Sequence, residues 1–161
     1  MGPPPSLQAR LESQLEDGLR FILAAGSRGA LTARPEPGKW SALENLAHLA
    51  RHHEVLLERI DRILAEDRPR LDRYRAENDP GWPAWADRDL DDVVARLSEL
   101  RRRLVTRLAA ASPAEMARTA VHPRFGEMTL AGWTEFFLLH EAHHLYVALG
   151  RMAAAAQAPP G

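Results

Sequence analysis

Apolar residues recur at helical spacing in four long stretches of the chain, and no stretch alternates apolar and polar positions in the manner of a strand. The first stripe is Leu7, Leu11, Leu15, Leu19 and Ile22; its steps of three or four residues predict a helix from about Ser6, read as its N-cap, to Ala25. Gly26 and Gly29 then end it ahead of a Pro35–Pro37 loop. The second helix opens on Ser41-Ala-Leu-Glu44, a capping box, and runs to about Glu66 on Leu46, Leu49, Leu56, Ile60 and Leu64. The third begins near Asp89, with Asp92 at the third helical position, and buries Leu90, Val93, Val94, Leu97, Leu100, Leu104 and Leu108. Ser112-Pro-Ala-Glu115 signals a short helical turn. The last helix is predicted from about Thr129 to Leu149, with Gly150 as its C-cap. The pattern predicts an all-α fold: one antiparallel four-helix bundle over residues 6–152, with flexible ends at 1–5 and 153–161.

Helices two and three are joined by a long loop, Asp67 to Arg88, which carries Tyr74, Trp82 and Trp85. Connections of that length in compact domains carry function or pack down, so the loop is expected over one end of the bundle. The last helix is also apolar on a second side, through Leu138, Ala142, Leu145 and Leu149, which points to a homodimer.

Composition narrows the chemistry. The formal net charge of −1 lacks the basic excess expected of a phosphate-binding protein, so no nucleic-acid partner is expected. Arg101-Arg102-Arg103 is read as part of a solvated helix face. Without cysteine, a metal site must be built from His, Asp or Glu. No apolar run reaches the ~20 residues of a membrane-spanning helix, and the first residues do not read as a signal peptide; the expectation is a cytoplasmic protein with no membrane partner.

Six of the seven histidines fall in two helices, as His48, His52, His53 and as His140, His143, His144. Residues four apart on a helix share a face, so His140 and His144 project side by side. Trp133, Phe136, Phe137 and Val147 lie within about 60° of that direction, which turns the pair towards the apolar interior. Two neutral imidazoles there need partners for their ring nitrogens, and a metal ion accepts a lone pair from each. Glu141 and His143 point elsewhere. On the second helix the leucine stripe is centred nearer His53 than His48, and spacing alone does not choose between them.

Three blocks carry a family resemblance. Trp40-Ser-Ala-Leu-Glu-Asn-Leu-Ala-His48-Leu49 resembles the Trp-Ser/Thr-x-x-Glu-x-x-x-His-Leu opening of the second helix in the DinB/YfiT-like superfamily. His122-Pro-Arg-Phe-Gly126-Glu-Met-Thr-Leu130 resembles the turn before that superfamily's final helix, and His140-Glu-Ala-His-His144 its closing His-x-x-x-His. The resemblance implies a four-helix bundle holding a divalent metal, zinc or nickel, on His48, His140 and His144, and favours His48 over His53. It also implies enzymes that use low-molecular-weight thiols, so a thiol S-transferase-like or hydrolytic activity on a small molecule is expected, against the alternative of a non-enzymatic stress or binding protein. Tyr74, Trp82, Trp85 and Arg124 are candidate pocket residues; Glu44, His52, His53 and His143 are candidates for supporting the ligands from behind. The chain departs from the pattern at Asn45, usually aliphatic, and at Tyr146-Val147; neither is expected to touch a ligand.

Overall fold

The computed structural model describes residues 2–157. In chain order its elements are α1 (Pro5–Ala25), the short α2 (Arg28–Thr32), α3 (Ala42–Ala65), a 3-10 turn at Ala76–Asn78, the short α4 (Trp82–Ala86), α5 (Leu90–Ala109), the short α6 (Pro113–Met116), strands β1 (Thr119–His122) and β2 (Gly126–Thr129), and α7 (Leu130–Gln157). The long helices α1, α3, α5 and α7 carry the four leucine stripes. The capping residues of α3, α5 and α6 act as their sequence implies. Ser41 and Glu44 form a complete capping box, the Asp89 carboxylate accepts from Asp92 N at 2.9 Å, and Ser112 and Glu115 form a second box.

Several boundaries differ from expectation. Pro4, not Ser6, is the N-cap of α1, because Pro5 suits the first helical turn, where its missing N–H costs nothing. The N-terminal segment is docked: Pro3 is buried and Gly2 N donates to Ala111 O at 2.8 Å. At the other end α7 continues through Gly150 to Gln157, so Gly150 is not a cap. The alanines that follow are strong helix formers, Met152 is buried against Gly26, and Arg151 pairs with Glu36; together these offset the ~1 kcal/mol cost of an interior glycine. Residues 158–161 lie outside the described part. A hairpin also stands where no strand was predicted. β1 and β2 pair antiparallel, Thr119 opposite Thr129 and His122 opposite Gly126, with Gly126 at φ +75° in the turn. Four residues per strand are too few to show a period.

The helix order follows from which residues meet. Arg10 pairs with Glu135, Gln14 donates to Glu141, and a side chain at Gly18 would meet Leu145; α1 and α7 therefore run parallel. Arg101 donates to Leu11 O while Arg28, just beyond α1, pairs with Asp91, so α1 and α5 are antiparallel. Asn45 meets His144 and His52 meets His140, so α3 and α7 are antiparallel. Asp61 pairs with Arg107 near the C-terminal ends of α3 and α5, which run parallel. The four-helix bundle thus goes up, down, down, up. Its long connection returns the chain to the starting end of α3, since two parallel helices cannot be joined by a short turn.

This connection runs along α3 instead of lying over one end. Leu71 N donates to Val121 O at 3.0 Å and Val121 N to Pro69 O at 2.9 Å, pinning its start to β1. Asp79 then ties it to α3: Arg51 Nε donates to Asp79 at 2.7 Å, and Tyr74 Oη and Gly81 N each donate to it at 2.9 Å.

Of the second apolar side of α7, Leu138 and Leu145 are buried within the chain where the helix meets α1, while Ala142 is exposed and Leu149 half-buried. The buried apolar residues fall into two clusters. One holds Leu46, Leu49, Leu97 and Leu145; the other holds Leu56, Ile60, Leu104 and Phe137. Between them, on the facing turns of α1, α3, α5 and α7, lies a layer of polar side chains, and the candidate site belongs to this layer. No helix among the described residues is long and apolar enough to cross a membrane.

Candidate metal centre

The polar layer has two sides. On one, ring nitrogens of His48, His140 and His144 all lie within 4.8 Å of one another. His48 Nε2 faces His140 Nε2 at 3.3 Å. Two nitrogens on one tetrahedral zinc, each ~2.0–2.1 Å from it, would stand about 3.4 Å apart. Burial, and for His48 and His140 the neighbouring His144, hold the three imidazoles far below the usual histidine range: His48 at about 3, His140 at about 2 and His144 at about 4. All three are neutral at pH 7, the form that donates a lone pair.

Protonation of the third imidazole is set by a short chain of bonds. Asn45 Nδ2 donates to Ser41 O at 2.8 Å, which turns Asn45 Oδ1 towards His144 Nδ1 at 2.9 Å. An amide oxygen only accepts, so His144 carries its proton on Nδ1 and keeps the Nε2 lone pair free. The N-cap of α3 therefore orients a side chain of α7. Asn45 was not expected to touch a ligand, and it does; the signal was its place four residues from the N-cap and one turn before His48. His48 Nδ1 and His140 Nδ1 are buried without partners among the described residues. Two Nε2 atoms facing each other can share only one proton, whereas a cation satisfies both, so these residues fit a divalent ion.

On the other side of the layer lies an ionic cluster. Glu141 is fully buried, pairs with Arg101, accepts from Gln14 at 3.0 Å, and faces His53 Nε2 at 3.5 Å. His53 Nδ1 donates to Leu49 O at 2.7 Å. His53 is thus turned away from the trio, and His48 is the histidine of α3 that meets His140 and His144. Arg101 is not solvated: it is buried, its pKa is lowered to about 9 by that burial, and the carboxylate of Glu141 is its counter-ion. Glu141 points away from the trio, as expected, yet it is the partner that the Arg101 run concealed.

Of the other candidates, Tyr74 stacks on His48 at 5.7 Å between ring centroids with its hydroxyl committed to Asp79, so it offers the cavity a ring. Trp82 stands edge-on to His48 at 6.0 Å and packs on Trp40. Trp85 does not reach the site; it is buried in the core beside Leu90, its indole N–H directed to Glu54 at 3.2 Å. His52 lies with its ring centroid 4.0 Å from that of His140 and lines the cavity, while His143 stands exposed at the rim. Glu44 accepts from Ser41 N and pairs with Arg34, and contacts none of the trio.

The trio opens into a cavity of about 420 Å3, which neither Trp82 nor Trp85 fills. Trp40, Tyr74, Phe125 and Phe136 supply its apolar lining, and Arg124 its rim. Arg59, Arg73 and Arg75 line it too, and nothing in helical spacing distinguished them from the other arginines of an arginine-rich chain.

The family model of the DinB superfamily matches residues 12–148. The chain belongs to this superfamily. A protein of Bacillus mycoides (strain KBAB4) named "Putative metal-dependent hydrolase" is 28% identical over 109 residues, which span 66% of this chain and 61% of that protein. Among solved structures, YfiT from Bacillus subtilis, described as a probable metal-dependent hydrolase with an unusual four-helix bundle topology, superposes with a TM-score of 0.72 at 21% identity over 92% of this chain and 84% of its own. The four-helix bundle protein TT2238 superposes with a TM-score of 0.60 at 26% identity, over 88% of this chain and 94% of its own. The four-helix bundle is the frame this DinB-superfamily chain has in common with these two structures.

Proposed function

We propose that this DinB-superfamily protein is a metal-dependent enzyme that hydrolyses a small molecule, with a divalent ion, zinc or nickel, on His48, His140 and His144. The observation that carries this reading is three neutral imidazoles converging at an open cavity. Three protein ligands leave a coordination position free, whereas structural zinc sites close with four. The ion would supply Lewis-acid chemistry, bringing the pKa of a coordinated water or thiol towards neutrality and polarising a substrate oxygen. The protein's own part is to hold the imidazoles neutral by burial, orient His144 through Asn45, and seat an apolar group against Trp40, Tyr74, Phe125 and Phe136. The name of the Bacillus mycoides relative supports the hydrolytic form.

A second reading, transfer of a low-molecular-weight thiol, is favoured by one observation: Glu77, an exposed residue, is the single carboxylate among those lining the described cavity that is available as a general base for water. A thiol coordinated to the ion needs no such base. Protein stripped with a chelator and reloaded with zinc or nickel, assayed against a panel of esters and amides with and without a thiol, tests both. Turnover that needs the metal and is lost in His144→Ala is expected. Turnover surviving either change would refute the reading.

A further inference from the structure

The far end of the cavity holds a cation that has no counter-ion among the described residues. Arg59 lies on α3 seven residues after His52 and eleven after His48, near enough in helical phase that all three line one cavity. It is 92% buried by its 8% exposure. One nitrogen donates to Asp72 O at 2.5 Å, and the guanidinium carbon stands 5.3 Å from the centroid of Trp133. It makes no ion pair among the described residues, in contrast to Arg101, the other deeply buried arginine, which has Glu141. Burial holds its pKa below the usual arginine value, with Asp72 and Glu58 only partly opposing this. A buried charge without a partner is costly, and a guanidinium has five donors of which one bond uses one.

The mouth of the cavity repeats the pattern. Arg73, Arg75 and Arg124 line it, and none of them makes an ion pair among the described residues; Glu77 is the single acidic residue beside them. The chain's other arginines mostly have carboxylates: Arg10, Arg28, Arg34, Arg51 and Arg62 are all paired. A net charge of −1 for the whole chain therefore hides a cavity with a local excess of positive charge.

We infer that the cavity takes a small molecule bearing an oxyanion, carboxylate or phosphate, on an apolar body, with the oxyanion on Arg59 and the group to be transformed towards His48, His140 and His144. A planar oxyanion matches the guanidinium fork, and the aromatic lining accommodates the apolar body. The His48 and Arg59 Cα atoms are about 16 Å apart along α3, so the anionic group and the reacting group of such a substrate are several bonds apart. The inference rests on the cavity being the active site, but the arginine contact itself requires no metal.

The test compares benzoate with its neutral isostere benzamide by calorimetric titration, in both chelator-treated and zinc-loaded protein, with inorganic phosphate as a second anion. Benzoate is expected to bind chelator-treated protein at least about tenfold more tightly than benzamide, the scale of one charge-assisted hydrogen-bonded contact. Arg59→Met is expected to lose that preference, and Arg102→Met, outside the cavity, to keep it. Because Arg59 is buried, an Arg73→Ala, Arg124→Ala double variant of exposed positions provides an independent arm; it is expected to weaken benzoate and phosphate several-fold while leaving benzamide unchanged. Equal binding of the two probes, or a preference that survives in both Arg59→Met and the double variant, overturns the inference. A preference seen only with zinc and lost in His144→Ala but not in Arg59→Met also overturns it, and leaves the metal reading standing. Conversely, an Arg59-dependent preference in a protein that takes up no metal upholds the anion contact and refutes the metal.

Discussion

At the scale of single residues, the protonation of His144 depends on an amide that stands one hydrogen bond behind the cavity lining. Ser41 O fixes Asn45 Nδ2, Asn45 Oδ1 fixes the Nδ1 proton of His144, and the free Nε2 follows. Replacing Asn45 with Leu keeps the volume roughly and removes the acceptor, so divalent-ion affinity is expected to fall about 10- to 100-fold, measured by competition with a chromophoric chelator. Unchanged affinity would mean that the bond does not set the tautomer. The His140–His144 pair was legible from spacing because four residues on a helix is a geometric statement about one face. The Asn45 contact was not, since it spans two helices and the sequence does not show which residue of α3 stands opposite position 144. The choice of His48 over His53 had the same character. His53 sits at the centre of the leucine stripe because that stripe faces the core, where Glu141 waits; His48, at its edge, faces the cavity.

At the scale of elements, the stripes and caps of α1, α3, α5 and α7 were readable locally, and what was missed depended on partners distant in sequence. Arg101 looks like one of three surface arginines until α7 brings Glu141 to it. Breaking this buried pair from one side, in Glu141→Ala, is expected to cost about 3–5 kcal/mol in urea unfolding, because Arg101 is left charged and unpaired. The double variant Arg101→Leu, Glu141→Leu should cost clearly less than the two single changes summed; additivity would show that the two groups do not interact. The connection between α3 and α5 makes a similar case. Asp79 accepts from Arg51, Tyr74 and Gly81, and Arg51 holds its carboxyl below the usual range. Asp79→Asn keeps the shape and removes the charge, and should lower stability by about 1–3 kcal/mol while speeding amide exchange selectively over 70–86. Uniform acceleration along the chain would argue that the tie is not local.

At the scale of the whole molecule, a core split by a polar layer ties stability to protons and metal together. Burial depresses the histidines of this layer, His48 and His53 to about 3, His140 to about 2, His144 to about 4, and His52 well below its ordinary value. Unfolded, they titrate near 6.5. Between those values the unfolded chain takes up protons that the folded one excludes, so stability falls as pH falls below about 6.5. Melting of metal-free protein should therefore drop progressively from pH 7 to pH 5, with zinc opposing the loss; a flat profile over that window would show that the imidazoles are hydrated in solution. The up-down-down-up order was not readable from the pattern, because stripe spacing says which face of a helix is buried and nothing about which helix covers it. The most direct test of the central claim is the metal content of untagged protein, the native chain beside His48→Ala, His140→Ala, His144→Ala and His53→Ala. About one divalent ion per native chain, lost from the first three variants and kept in the fourth, is predicted. A metal-free native chain, or an ion kept in His48→Ala and lost in His53→Ala, would contradict it.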